Sequence, residues 1–200
     1  MGQQPTLPVS FLQYHLVQGS RGCVRPRNED LVLNSRLTVG TIALTTAFLM
    51  LCLDQLTKHW ALQALGAVGT TIKLPGPVDL TLLLNRSNAF GLIPDYGEFS
   101  RWALAALSLA AAAISLVFAL RRSTSILNAL GFAFISAGAF GNAIDRVRLG
   151  AVVDLFDASK LRFVWVFNVA DVSIDLGFGV ILLGALVPAL AAHKVRRAND

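Results

Sequence analysis

Four long apolar runs dominate the chain, at 37–53, 101–120, 124–144 and 172–192, and polar residues gather in the segments between them. Each run reaches or approaches the roughly 20 helical residues needed to cross a bilayer core. The first, LTVGTIALTTAFLMLCL, carries no charge and is slightly short, so its helix is expected to continue into Asp54–Trp60 and bring polar groups to a membrane surface. The second, RWALAALSLAAAAISLVFAL, opens on an Arg101-Trp102 pair suited to an interface and stops before Arg121-Arg122. The third and fourth hold Asn142, Asp145, Asp171 and Asp175 at or inside their ends, where a charge is costly unless it has a task. Two shorter patterns predict strands. TIKLPGPVDLTLLLN, 71–85, alternates partly around a Pro-Gly-Pro turn and reads as two short strands. LRFVWVFN, 161–168, would put Arg162, Val164 and Val166 on one side and Phe163, Trp165 and Phe167 on the other. Its aromatics suit either interfacial anchors or a strand edge that pairs with an extended peptide.

Composition agrees with a membrane chain, at 54% hydrophobic residues, 14% charged and a mean hydropathy of +0.61. An even number of crossings puts both termini on one side. Nine of the 17 lysines and arginines belong to that side and eight to the longer loops opposite, so the bias is one of density. The termini are read as cytoplasmic, with 54–100 and 145–171 facing outward. The net charge of +5 is then a matter of topology and anchoring, not of nucleic-acid binding. Residues 1–36 form a polar cytoplasmic tail without the apolar core of a secretory signal, 37–192 the membrane domain, and 193–200 a second cytoplasmic tail. MGQQPT matches the myristoylation pattern, a weak six-residue signal. Cys23 and Cys52 fall in different environments and are expected to be reduced.

His-Glu-x-x-His and Gly-x-Ser-x-Gly are missing, and the three histidines, His15, His59 and His193, are scattered, so no metal site or histidine triad is expected. Ten of the twelve acidic residues are aspartates. Two carboxyls brought together at the edge of a low-dielectric region cannot both ionise easily, so one keeps its proton. The ionised partner can take a proton from an attacking water while the other donates to a carbonyl oxygen. Asp154 in an outward loop and Asp171 at the start of the fourth span are separated by 16 residues that can fold back on themselves.

Four ordered blocks carry a resemblance: DQLTK (54–58), NRSNAFG (85–91), GNAIDRVRLGAVVD (141–154) and FNVAD (167–171). Over roughly 40–192 the chain resembles bacterial signal peptidase II, the lipoprotein signal peptidase. The resemblance implies an all-α integral membrane protein of four transmembrane helices with a small extracytoplasmic β-sheet, working as a monomer in the inner membrane. It implies an aspartyl endopeptidase without metal or other cofactor, which cuts diacylglyceryl-modified prolipoproteins before the lipidated cysteine while the acyl chains stay among the membrane lipids. Carried over by motif, Asp154 and Asp171 are the catalytic pair; Asn142, Asp145 and Arg146 position substrate and support the site; Asn85 and Asn168 match further polar positions. Asp145 is expected to orient the Arg146 guanidinium.

Several readings stay open at this level. Asp54 and Lys58, at i and i+4, make either a site pair or a surface helix pair worth a few tenths of a kcal/mol. Asp171 also suits the cap of the fourth helix. Asp175 falls one turn further along, with no role implied. Ser87 and Asn88 depart from the family pattern Asn-x-Gly-Ala-Ala-Phe, which bears on substrate or inhibitor fit. The rivals are a small proton-coupled transporter, with Asp171 and Asp175 as ion sites, and a silent lipoprotein-binding homologue.

Overall fold

The computed structural model describes residues 28–86, 97–121, 124–163 and 165–199, with side chains over 37–86, 97–121, 124–163 and 165–187. Residues 1–27, with MGQQPT, His15 and Cys23, and the Ser87-Asn88 departure lie outside the described residues, as do the side chains of 193–200.

The apolar runs form four helices: α1 (Asn28–Leu65), α2 (Glu98–Ala119), α3 (Ile126–Leu149) and α4 (Val169–Asn199). The stretches Leu37–Leu65, Glu98–Ala119, Ile126–Leu149 and Val169–Val187 are long and apolar enough to cross a membrane. Their outward faces carry exposed Phe48, Leu107, Phe178 and Leu182, a surface that suits lipid and not water. The buried side chains of α3 are mostly Ala, Gly and Ser, and this helix packs against both α2 and α4. Lipid offers no hydrophobic drive to pair helices, so close backbone approach has to supply the packing. Gly131 and Gly177 permit it: a methyl on either would meet the carbonyl oxygen of the other. Ser136 Oγ donates to Ala112 O at 2.9 Å and Ser173 Oγ to Phe134 O at 2.8 Å, tying α3 to each neighbour. Toward the other end, Ala43, Ala119, Ala129 and Ala133 bring α1, α2 and α3 together.

Between the helices lies one antiparallel sheet in the order β1 (Thr71–Ile72), β2 (Asp79–Asn85), β3 (Val152–Asp157), β4 (Val166–Phe167). Val153 and Leu155 of β3 are buried with Leu82 of β2 against Ala61 and Leu65, so the sheet sits on the end of α1. Alternation then turns Asp154, between those two, to the opposite face. The register pairs Leu83 with Asp154 and Asn85 with Val152.

Three expectations are corrected. Asp154 lies in an inner strand, not in a loop: VVDLF is apolar on both sides of its aspartate and is buried on both faces through Leu155. The strand expected over 161–168 shrinks to Val166–Phe167, because Ser159–Leu161 is a 3-10 turn and Arg162 takes a left-handed φ of 64°. The helices also overrun their apolar cores, α1 to Leu65 and α3 to Leu149, each stopped by a glycine, Gly66 or Gly150, in the left-handed region.

Candidate active site

The polar blocks converge where β3 meets the start of α4. Asn168 precedes that helix and exchanges two bonds with its third residue: Asp171 N donates to Asn168 Oδ1 at 2.9 Å, and Asn168 N donates to Asp171 Oδ2 at 3.3 Å. This is the reciprocal arrangement of a capping box, built from Asn and Asp. The other half of the Asn168 amide, Nδ2, donates to Asp154 Oδ1 at 2.6 Å. One buried asparagine therefore holds both aspartates. Asn142 Nδ2, from α3, donates to Asp171 Oδ1 at 3.0 Å, and Asn85 Nδ2, from the end of β2, donates to Asp154 Oδ2 at 3.1 Å.

Beneath this pair lies a buried ionic cluster. Lys58 Nζ, on a side chain only 2% exposed, is 2.9 Å from Asp54 Oδ2 and 2.8 Å from Asp145 Oδ2, and donates to Asn142 Oδ1 at 3.1 Å. Gln55 Nε2 donates to both aspartates and to Gly141 O. Each carboxylate also accepts a backbone bond. Val153 N donates to Asp145 at 3.2 Å and Ala170 N donates to Asp54 at 2.8 Å, immediately before Asp154 and Asp171 respectively. A charge taken out of water survives only when paired and fully hydrogen-bonded, and this cluster meets both conditions. Gly141 leaves room for it, since a methyl there would collide with Asp54 Oδ2.

Arg146 is buried on α3, one turn from Asn142; its Nη1 donates to Ser108 Oγ at 3.3 Å and to Asn142 O at 3.4 Å. Its charge lies within electrostatic reach of Asp171, Asp154 and Asp145. Arg101 reaches across from α2 and donates to Arg146 O at 2.9 Å and Val147 O at 2.7 Å, covering carbonyls that the end of α3 leaves open.

The sheet aspartates divide electrostatically. Burial, reinforced by the neighbouring Asp171 charge, pushes the Asp154 carboxyl up from 3.8 to about 7. Asp79 and Asp157 go the opposite way, held below the usual range by Lys160 and by the Ser159 N–H respectively. Among the described residues, no group of three or more His, Cys, Asp or Glu side chains is placed to hold a metal ion.

All nine residues singled out from the motifs belong to one connected region: Asp154, Asp171, Asn85, Asn142, Asp145, Arg146, Asn168, Asp54 and Lys58. Two expected pairings change. Asp54–Lys58 is a buried pair, not a surface one, because Asp145 and Ala170 close over it. The ion pair of Asp145 is with Lys58 and not the expected Arg146, as adjacent helical positions point about 100° apart. Asp171 caps α4 as well as facing the network. Asp175 is exposed one turn further along, with no hydrogen bond or ion pair among the described residues. Gln55, Ser108 and Arg101 were missed as site residues; the polar Gln55 inside a helix that otherwise buries apolar groups was the readable signal.

The sequence model of the family described as Signal peptidase (SPase) II matches residues 46–187, from within the first span to the end of the fourth. The chain belongs to the signal peptidase II family. Like the family, it is a protease, and its four spans make it a multi-pass membrane protein. A lipoprotein signal peptidase of Caulobacter vibrioides is 40% identical over 150 residues, covering 74% of this chain and 88% of the relative. One from Clostridioides difficile is 40% identical over 131 residues, covering 64% of this chain and 84% of the relative. A solved structure described as a bacterial membrane enzyme superposes with a TM-score of 0.65 at 22% identity, over 74% of this chain and 90% of its own; the likeness is one of fold. In this signal peptidase II chain the matched region contains every residue of the polar network.

Proposed function

We propose that the protein removes signal peptides from diacylglyceryl-modified prolipoproteins, cutting before the lipidated cysteine, with Asp154 and Asp171 as an aspartyl catalytic pair. The observation that carries this reading is Asn168, which donates to Asp154 and accepts from the Asp171 backbone, so two carboxyls are coupled at the end of a membrane span. A pair so placed shares its titration. One member activates a water and the other protonates the scissile carbonyl. Arg146, with several donors, and Asn85, beside Asp154, are suited to peptide carbonyls. A groove of about 370 Å³ between α1, α2 and α3, lined by Leu44, Phe48, Leu109 and Phe140 among others, offers acyl chains an apolar path that ends two residues from Asn142. The active side is read as extracytoplasmic in the inner membrane, and the working unit as a monomer.

Purified protein in detergent, incubated with a diacylglyceryl-modified precursor, is expected to release the signal peptide. Asp154→Asn and Asp171→Asn are each expected to lower kcat by at least about 1,000-fold. A folded wild type that leaves the precursor intact refutes the peptidase reading and favours a silent lipoprotein-binding homologue; cleavage that survives either substitution removes that aspartate from the pair.

A further inference from the structure

We infer that Lys58 is a positioning residue for the cleavage step: acting through Asn142, it fixes Asp171 as the ionised, water-activating carboxylate and leaves the proton of the pair on Asp154. This rests on the reading of those aspartates as the catalytic pair.

The argument is an inventory of donors. An amide side chain can present either its oxygen or its nitrogen, but an ammonium and a backbone N–H can only donate. Lys58 Nζ faces one end of the Asn142 amide at 3.1 Å, and Asn168 Nδ2 faces the same end at 3.4 Å. That end must be the oxygen. The opposite end is then an NH₂ group, which donates to Asp171 Oδ1. The second oxygen of Asp171 meets a backbone donor, Asn168 N. Both oxygens therefore face hydrogens, and a proton on either would meet a donor head-on. The Asn168 amide is locked in the same way by Asp171 N, so its Nδ2 faces Asp154 Oδ1. Asp154 Oδ2, beside the Asn85 amide, is left as the place for the shared proton. Burial of Asp154 in β3 favours its neutral form.

Lys58 has a second hold on the same geometry. Its two partners, Asp54 and Asp145, grip Ala170 N and Val153 N, the backbone immediately before each member of the pair. One ammonium thus sets the distance between two chain segments and the polarity of the bond between them. The charged groups facing the pair are Lys58 and Asp54 from α1, and Asp145 and Arg146 from α3.

In this arrangement Asp171 takes a proton from water as the oxygen attacks, while Asp154 gives its proton to the carbonyl oxygen, leaving a neutral gem-diol. On collapse the C–N bond breaks, Asp171 passes its proton to the departing nitrogen, and Asp154 recovers one from a gem-diol hydroxyl. The pair ends as it began.

The test uses full-length protein in lipid nanodiscs, the diacylglyceryl-modified precursor, and infrared difference spectra of protonated carboxyls at neutral pH. In the wild type the protonated-carboxyl band is expected to vanish in Asp154→Asn and to persist in Asp171→Asn. The double variant Lys58→Met/Asp145→Asn removes one charge of each sign from the cluster. It is expected to lower kcat roughly 10–100-fold, as loss of a residue that orients another typically does, with KM changed less than about threefold. With Asn142 free to turn, adding Asp154→Asn to that double variant is expected to leave a carboxyl band, now from Asp171. Should the double variant fail to fold, Asn142→Asp keeps a partner for Lys58 but has no N–H for Asp171, and it carries the same expectations. A folded variant with wild-type kcat and wild-type band assignment overturns the role of Lys58. A wild-type band that belongs to Asp171 overturns the proton assignment. Cleavage surviving Asp154→Asn or Asp171→Asn overturns the catalytic pair itself, a separate outcome.

Discussion

Asn168 donates to Asp154 at 2.6 Å with the same side-chain amide whose oxygen starts α4. A helix cap and a carboxylate clamp are usually separate devices, and here one residue serves as both. Substitution separates them. Asn168→Ser retains an oxygen able to cap but has no amide NH₂ for Asp154, so stability is expected to change by less than about 0.5 kcal/mol while kcat falls at least about tenfold. Asn168→Ala loses the cap as well and is expected to cost about 1 kcal/mol more. Unfolding temperature and precursor cleavage, measured on the same preparations, check both.

Asp154 gives stability a pH dependence of definite sign. Its carboxyl ordinarily titrates near 3.8, and in the fold near about 7, so between those values the folded state binds the extra proton. The contribution to stability is full below the lower value and is lost as pH rises through the upper one. Asp154→Asn removes this titration. The variant is expected to match or exceed the wild type in thermal stability, with the difference widening by about 2–4 °C between pH 5 and pH 8. A gap that narrows with rising pH would contradict the assignment.

Activity is expected to follow the same group. Loss of the Asp154 proton makes kcat/KM fall above about pH 7 with the slope of a single proton. Substrate that covers the pair desolvates it further, so the alkaline limb of kcat is expected at higher pH than that of kcat/KM. Initial rates across pH 5–9 on a diacylglyceryl-modified precursor measure both limbs.

Gly141→Ala is expected to be among the most damaging single-methyl changes in the chain. The new carbon would collide with Asp54 Oδ2, which is fixed by Lys58, Gln55 and Ala170 N and has nowhere to go. A loss of several kcal/mol of stability and of measurable cleavage is expected, checked by yield of folded protein and residual activity. Gly179, where a methyl meets open space, supplies the control.

Arg101→Ala removes two hydrogen bonds to the carbonyls at the end of α3. It is expected to cost about 1–3 kcal/mol without abolishing cleavage at low temperature, since Arg101 touches backbone and not the aspartates. A temperature series of initial rates distinguishes this from a direct catalytic loss.

Much of this organisation can be read from the linear chain, for identifiable reasons. Apolar runs of transmembrane length need no partner to be recognised, and the strands either side of Pro75-Gly76-Pro77 follow from turn chemistry. The strand holding Asp154 is harder to see. Its aspartate interrupts an apolar stretch, and only the pairing with 79–85, far away in sequence, makes a strand of it. The ion pairs are harder still. Lys58 has a legible partner four residues back, but Asp145 reaches it across 87 positions, a relation set by helix packing and glycine clearance. Arg101 looks like an interface residue because its carbonyl partners lie in a helix end that sequence spacing cannot locate.

The bond from Ala170 N to Asp54 spans 116 positions, so the polar cluster draws one member from the first helix made and its last from the final one. A nascent chain inserted up to α3 already carries Asp54, Lys58, Asp145 and Asp154, yet has neither Asn168 nor Asp171. Cutting power is therefore withheld from every translation intermediate and arises only when the last helix is threaded in. Truncated products left by stalled ribosomes would sit in the membrane as inert protein, without proteolytic hazard to their neighbours.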